Sequence, residues 1–150
     1  MQSDRVASDI FAIYFSNFSA HQVEYKGLLY PTVEHAYHCA RYNNPGVIAE
    51  IMAAPSPEKA WEVAQKYKVQ QHSDFGDKKR AIMKEIVRAK VDQHELVRQA
   101  LIDTGDLPII KHVITGPPDN GFWGDGADGN GANEFGKILM EIRNELQSST

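Results

Sequence analysis

The chain has 150 residues, of which 42% are hydrophobic and 24% charged, a balance typical of one globular domain with a single core. A net charge of −4 and an isoelectric point near 5.8 argue against extensive binding to a nucleic-acid backbone, although a local phosphate pocket stays compatible with them. The single cysteine, Cys39, excludes an internal disulfide framework and fits the reducing cytoplasm, where we expect the protein to reside.

The N-terminal residues predict neither a signal peptide nor a membrane-spanning helix, because acidic residues precede the first apolar run and no small-residue cleavage site follows it. Residues 10–18 are rich in β-branched and aromatic types. Residues 23–30 contain a Lys-Gly turn at 26–27. Both segments therefore predict strands of a small β element.

Helices are predicted over most of the remaining chain. Thr32 is placed to cap a helix that Pro45-Gly46 would close. Residues 107–114 are apolar enough for a buried strand, although Pro108 leaves helix or coil open. Further helices are predicted at 47–53, 57–68, 77–90, 94–101 and 134–146. The expected fold is a predominantly helical α+β domain, single over residues 1–150.

The helix after Thr32 carries polar side chains beside its apolar stripe, with Glu34 and His38 one turn apart. Glu34 lies in the first turn, where the helix dipole favours a carboxylate. Such a carboxylate can stabilise a developing positive charge or take a proton from water, or it can merely complement the helix terminus. His35, His38 and Cys39 are residue types that bind metals, but no second cluster of ligands accompanies them, so we expect no metal site.

Residues 15–18, Phe-Ser-Asn-Phe, place a polar pair between two aromatic side chains. The hydroxyl of Ser16 and the amide of Asn17 could present an edge that recognises a base, or the residues could form a turn at the end of a strand. Spacing alone leaves both interpretations open.

The stretch from 120 to 143 is the strongest site signal. Glycines stand at 124, 126, 129 and 131, and the run ends at Asn133, the predicted N-cap of the last helix. Glycine lets a backbone adopt positive φ or lie against a ligand, and a helix start suits a phosphate, although a plain surface connector is the alternative. Trp123 is either anchored in the core or offered to a planar ligand for stacking.

Standard nucleotide and calcium signatures do not fit this stretch. It lacks the Lys-Ser/Thr ending of a P-loop, and no clear βαβ unit surrounds the G-x-G-x-x-G at 124–129. A calcium loop starting at Asp128 would need an oxygen ligand at 132, where an alanine stands.

Together these motifs resemble the NADAR family, also called YbiA-like, over nearly the whole chain. The resemblance rests on Phe-Ser-Asn-Phe at 15–18, Pro-Thr-x-Glu-His at 31–35 and Trp-Gly-x-Gly-x-x-Gly-x-Gly-x-Asn-x-x-Gly at 123–136. It implies a compact, mainly helical domain and an N-glycosidase without a cofactor. The implied substrates are early phosphorylated ribosylamino-pyrimidines of riboflavin synthesis, or ADP-ribose attached to guanine in nucleic acid.

The resemblance also implies residue roles. Glu34 is the expected catalytic carboxylate, facing a sugar whose phosphate is held by the glycine ladder, residues 124–136. For Asp125 and Asp128 a turn-forming role is equally open. The expected substrate contacts are Ser16, Asn17, Phe18, His35, Arg41, Trp123, Gly124, Asp125, Asp128 and Asn133.

The chain departs from the family pattern around the expected pocket. Arg41 stands where many relatives carry lysine, which excludes a Schiff-base route there but keeps a charge that can hold a phosphate. Lys111 and Asn120 stand where acidic residues are common, Phe75 replaces a usual tryptophan, and the loop at 115–118 is longer. These departures bear on substrate choice more than on reaction type. The alternative function is a non-catalytic module that binds ADP-ribose or a nucleotide.

Overall fold

The computed structural model describes residues 4–113 and 120–148, and the longer loop predicted at 115–118 lies outside them. The chain folds into two compact units. One is Asn17–His94, and the other joins the residues up to Ser16 with those from Glu95 onward.

Within the described residues the chain is mainly helical, with one two-stranded sheet near its start. In chain order the elements are α1 (Ser8–Ile10), β1 (Val23–Tyr25), β2 (Leu28–Tyr30), α2 (Val33–Cys39), α3 (Pro45–Met52), α4 (Pro57–Lys66), α5 (Phe75–Gln93), α6 (Glu95–Asp103), α7 (Asn120–Trp123) and α8 (Glu134–Ser148). This architecture confirms the predicted α+β class. None of the described helices is long and apolar enough to cross a membrane.

In the Asn17–His94 unit, the strands β1 and β2 form an antiparallel hairpin. Its turn residues Lys26 and Gly27 have φ angles of 51° and 85°, the left-handed conformation that matches the twist of a tight hairpin. The predicted Lys-Gly turn is therefore confirmed. The sheet is small because each strand has only three residues.

The helix α2 is the centre of the Asn17–His94 unit. Its N-terminus is capped as predicted, because the Thr32 hydroxyl oxygen accepts a hydrogen bond from the His35 backbone N–H at 3.1 Å. All seven residues of α2 are buried, and the helix contacts α3, α4 and α5. Its polar side chains must therefore find hydrogen-bond partners inside the unit.

The predicted closure of α2 by Pro45-Gly46 is wrong. The helix α2 ends at Cys39, and Pro45 and Gly46 begin α3 instead. Proline suits the first helical position because the N–H it lacks would have no helical partner there. The Asn44 side chain caps this start by accepting a hydrogen bond from the Gly46 N–H at 2.9 Å.

The predicted strand over 10–18 is also wrong. The chain there is helical, with α1 followed by a π-helical turn at Phe11–Phe15. The ring of Phe11 lies 6.1 Å from that of Phe135 in α8, and the Phe15 ring is buried. Packing of aromatic rings at helical spacing overrides the β propensity of these residue types.

Residues 107–113, the described part of the predicted 107–114 segment, are neither helix nor strand. Two of their backbone N–H groups donate to side chains instead. The Asn133 amide oxygen accepts from the Lys111 N–H at 2.9 Å, and the Asp125 carboxylate accepts from the Val113 N–H at 2.8 Å. The coil alternative is therefore the correct one.

Candidate active site

Glu34 is a buried carboxylate in the first turn of α2, only 6% exposed. Its Oε1 accepts a hydrogen bond from Asn17 Nδ2 at 2.7 Å, and its backbone N–H donates to the Asn17 carbonyl at 3.1 Å. Asn17 therefore holds both the backbone and the side chain of Glu34. Because a charge-assisted hydrogen bond is directional, the carboxylate is fixed in one orientation.

The other oxygen of Glu34 faces His38, one turn later. Glu34 Oε2 lies 3.3 Å from His38 Nε2, and both side chains are buried. Arg41 Nη1 lies 2.9 Å from His38 Nδ1, and Arg41 Nε donates to Gln71 Oε1 at 2.6 Å. Asn17, Glu34, His38, Arg41 and Gln71 thus form a continuous set of contacts, the buried polar array. The sequence predicted the Glu34–His38 spacing but assigned no site role to His38 or Gln71.

His35, a predicted substrate contact, has both ring nitrogens engaged inside the protein. Its Nδ1 lies 2.9 Å from Thr32 Oγ1, and its Nε2 lies 3.0 Å from the carbonyl oxygen of Ala54, just after α3. Because the carbonyl can only accept, Nε2 carries the proton. His35 is 1% exposed and anchors α2 to the end of α3.

The predicted contacts beside Asn17 differ in exposure. Phe18 is 38% exposed, and its contact with a flat base stays a prediction. Ser16 is half-buried, and its backbone N–H donates to the Phe11 carbonyl at 2.8 Å.

A second buried polar cluster in the Asn17–His94 unit was not predicted. Lys90 is 1% exposed, and its Nζ donates to Ser19 Oγ at 2.6 Å. Ser19 Oγ in turn lies 2.8 Å from His21 Nδ1. Burial lowers the pKa of Lys90 to about 7. Burial, together with the charges of Lys90 and His94, lowers the pKa of His21 to about 4.

The conformation of the glycine ladder depends on its backbone angles and on contacts between its own backbone atoms. Gly126 and Gly129 have φ angles of 72° and 79°, which other residues rarely adopt. A Cβ at Gly131 would strike the backbone of Gly124 and Asp125. The Gly131 N–H donates to the Asp125 carbonyl at 2.6 Å, which closes the loop on itself. Gly131 is therefore required by internal packing, and Gly126 and Gly129 are required by their backbone conformation. Contact of these glycines with a ligand stays a prediction.

The two aspartates of the ladder have partners within the protein. Asp125 accepts from the Val113 N–H, and its Oδ2 lies 2.7 Å from His112 Nδ1. Burial alone would raise the pKa of the Asp125 carboxyl, but these two hydrogen bonds outweigh it and hold the pKa below its usual value. Asp128 accepts from the Asn130 N–H at 3.0 Å, the arrangement of an Asx turn.

Trp123 and Asn133 are both anchored within their unit. Trp123 is 8% exposed, and its ring meets the Phe122 ring edge-on with centroids 4.7 Å apart, which favours the core alternative. Asn133 precedes α8, and its carbonyl accepts from the Lys137 N–H at 3.0 Å, as at an N-cap position. Its side chain bonds instead to Lys111 and to the Ile109 carbonyl.

We expect Gly136→Ala to destabilise the protein by about 2 kcal/mol or more, because a Cβ there would strike the Ile109 carbonyl and the Asn133 side chain. Gly76→Ala is the matched control, since Gly76 also lies in the first turn of a helix but has open space around it. The control should gain up to about 1 kcal/mol. Urea unfolding of both variants measures this, and equal stabilities would show that the packing at Gly136 is unimportant.

Two of the residues that depart from the family pattern, Phe75 and Lys111, contact aromatic rings of the protein. Phe75 is 4% exposed, and its ring meets that of Tyr37 with centroids 5.4 Å apart. Lys111 Nζ lies 5.0 Å from the centroid of the Phe135 ring, at the distance of a cation–π contact. The side chain of Asn120 lies outside the described residues.

Comparison with known proteins identifies relatives over most of the chain. The family model of the NADAR domain matches residues 6–147. The chain is 34% identical over 137 residues to an N-glycosidase of Nostoc punctiforme, covering 89% of this chain and 85% of that protein. It is 30% identical over 132 residues to the N-glycosidase YbiA of Escherichia coli, covering 88% and 80%.

A third relative is much longer than this chain, and a solved structure matches this chain over nearly its whole length. A riboflavin biosynthesis protein of Vibrio vulnificus is 31% identical over 134 residues, and this chain spans 35% of its length. The NMR structure of Escherichia coli YbiA matches with a TM-score of 0.81 and 27% identity, over 99% of this chain and 84% of that one. These comparisons confirm the predicted family, fold class and class of enzyme.

Proposed function

The chain belongs to the NADAR family, and from this premise we propose that it hydrolyses the bond between a ribose-type sugar and a base-type amine, with Glu34 as the catalytic carboxylate. One observation carries the assignment of Glu34. It is a buried carboxylate with Asn17 on one oxygen and His38 beside the other. An anion fixed in this way is already oriented before the substrate binds.

Glu34 would act on the reacting carbon in two ways. As the carbon–nitrogen bond breaks, positive charge develops on the sugar, and a nearby carboxylate stabilises it. The attacking water then forms a bond to that carbon. Its proton passes to Glu34 and from there to the departing amine, so that the carboxylate is regenerated.

We propose two substrate classes, the two that the family resemblance implies. The first is a phosphorylated ribosylamino-pyrimidine, which is supported by the riboflavin name of the Vibrio vulnificus relative. The second is ADP-ribose attached to guanine, including guanine in nucleic acid. We propose that Phe18, exposed beside Asn17, stacks on the base. The remaining predicted substrate contacts stay predictions, and we place the enzyme in the cytoplasm because Cys39 is unpaired and buried.

The wild-type protein is expected to release free base or amine from at least one of these substrates. Mass spectrometry of reactions with a ribosylamino-pyrimidine phosphate and with an ADP-ribosylated guanine nucleotide measures that release. Binding without product over a long incubation with both substrates would contradict the proposal and favour the non-catalytic binding module.

A further inference from the structure

The two ring nitrogens of His38 face partners of opposite chemistry. Its Nδ1 lies 2.9 Å from Arg41 Nη1. A guanidinium carries only N–H donors and stays charged in proteins, so Nδ1 must be the acceptor and carries no proton. The proton of the neutral ring therefore sits on Nε2, which lies 3.3 Å from Glu34 Oε2.

The contact between His38 and Glu34 is close but not an aligned hydrogen bond. Among residues 4–113 and 120–148, His38 Nε2 has no hydrogen-bond partner of good geometry, although it lies within ion-pair distance of Glu34. His38 is only 3% exposed, and a buried donor without an aligned acceptor is costly. Hydrogen bonds of an active site are often long or misaligned before the substrate binds, which fits this geometry.

We propose that Arg41 is a positioning residue that acts on Glu34 through His38. Arg41 fixes the tautomer of the ring, and the ring then presents its Nε2–H to the second oxygen of Glu34. This inference rests on the proposed catalytic role of Glu34. It also gives Arg41 a task other than the predicted contact with a substrate phosphate.

The other contacts of Arg41 agree with this assignment. The side chain is 6% exposed, and its Nε–H is used by Gln71 at 2.6 Å. Two of its N–H donors are thus committed to His38 and Gln71. With the opposite tautomer, the lone pair of Nε2 would face the negative Glu34 oxygen and repel it. Arg41 prevents that arrangement by occupying Nδ1.

The tautomer can be read directly by NMR without any substrate. The protein labelled with nitrogen-15 at its six histidines is measured in the wild type, Arg41→Leu and Arg41→Lys, with His38→Gln identifying the signals of residue 38. We expect an unprotonated Nδ1 and a protonated Nε2 in the wild type. Lysine is also purely a donor, so Arg41→Lys should keep this pattern, whereas Arg41→Leu should lose it. A protonated Nδ1 in the wild type, or an unchanged pattern in Arg41→Leu, would overturn the proposal.

Kinetics separate positioning from substrate contact. His38→Gln keeps an N–H where Nε2 was and should retain most of kcat, whereas His38→Leu should lose about 10- to 100-fold in kcat with little change in KM. Arg41→Leu should behave as His38→Leu does, and Arg41→Lys should recover much of kcat. An Arg41→Leu variant that raises KM at unchanged kcat would show a substrate contact instead. If the wild type has no turnover, the proposed function fails while the tautomer measurement still decides the role of Arg41.

Discussion

Glu34→Gln is expected to abolish release of the base, with kcat lowered by at least about a thousandfold. Glutamine has nearly the shape of glutamate and keeps an oxygen that can accept from Asn17 Nδ2. It has no negative charge to stabilise the sugar cation and cannot take a proton from water. Product release in the substrate assay measures the loss, and circular dichroism checks that the variant is folded.

Glu58→Gln is the matched control for Glu34→Gln. Glu58 occupies the same second position of α4 after the cap Ser56 as Glu34 occupies in α2 after Thr32, but it is exposed. Glu58→Gln removes a negative charge from a helix terminus without changing the proposed active site, so we expect its turnover to be unchanged. Equal losses in both variants would show that Glu34 matters only as a helix-terminal charge.

Lys90→Met is expected to remove a pH dependence of stability from the protein. Burial lowers the pKa of Lys90 from 10.5 to about 7 in the folded state. Between these values the unfolded chain binds a proton that the folded protein lacks, so the free energy of unfolding rises with pH. Below about pH 7 both states are protonated, and the cost of burying the charge remains in full.

The pH interval for the Lys90 measurement is set by Cys39. Burial raises the pKa of this thiol to about 12, so its contribution runs the opposite way once the unfolded thiol ionises. From about pH 7 to about pH 8.5 the wild type should gain about 1–2 kcal/mol, and Lys90→Met should not. Lys78→Met, exposed in the same helix, is the control and should keep the gain. A wild type without this gain, or a Lys90→Met variant that keeps it, would contradict the assigned pKa.

The sequence predicted the start of α2 and the spacing of Glu34 and His38 correctly because the relevant signals are local. Thr32 as a cap, Glu34 in the first turn and His38 one turn later all follow from helical spacing. The partner Asn17 is 17 positions before Glu34 and Gln71 is 30 positions after Arg41. No periodicity links residues so far apart in the chain, so their contacts in the buried polar array could not be predicted from the sequence.

Other errors arose where tertiary contacts opposed local propensity. The aromatic residues at 10–18 suggested a strand, but their rings pack at helical spacing. Lys90, whose burial was not predicted, carried a usable signal, because it falls on the apolar stripe of α5 that includes Met83, Ile86 and Val87. A lysine at such a position indicates a buried amine.

The glycine ladder shows a further limit of the sequence. Its glycines suggested room for a ligand, yet Gly131 and Gly136 lie against neighbouring backbone atoms of the same chain. A glycine needed for packing and one needed for binding look alike in a sequence. Asn133 was likewise placed correctly before α8, but its side chain bonds to residues 109 and 111, which lie too far along the chain for spacing to reveal.

The central claim is that a carboxylate at position 34 acts on the substrate. Chemical rescue of Glu34→Ala tests this claim most directly. The alanine leaves a space in which added formate can supply the missing carboxylate. We expect turnover of Glu34→Ala to be very low and to rise with formate concentration, while formate leaves the wild type and Glu34→Gln unchanged. Turnover of Glu34→Ala at the wild-type rate without formate would contradict the account.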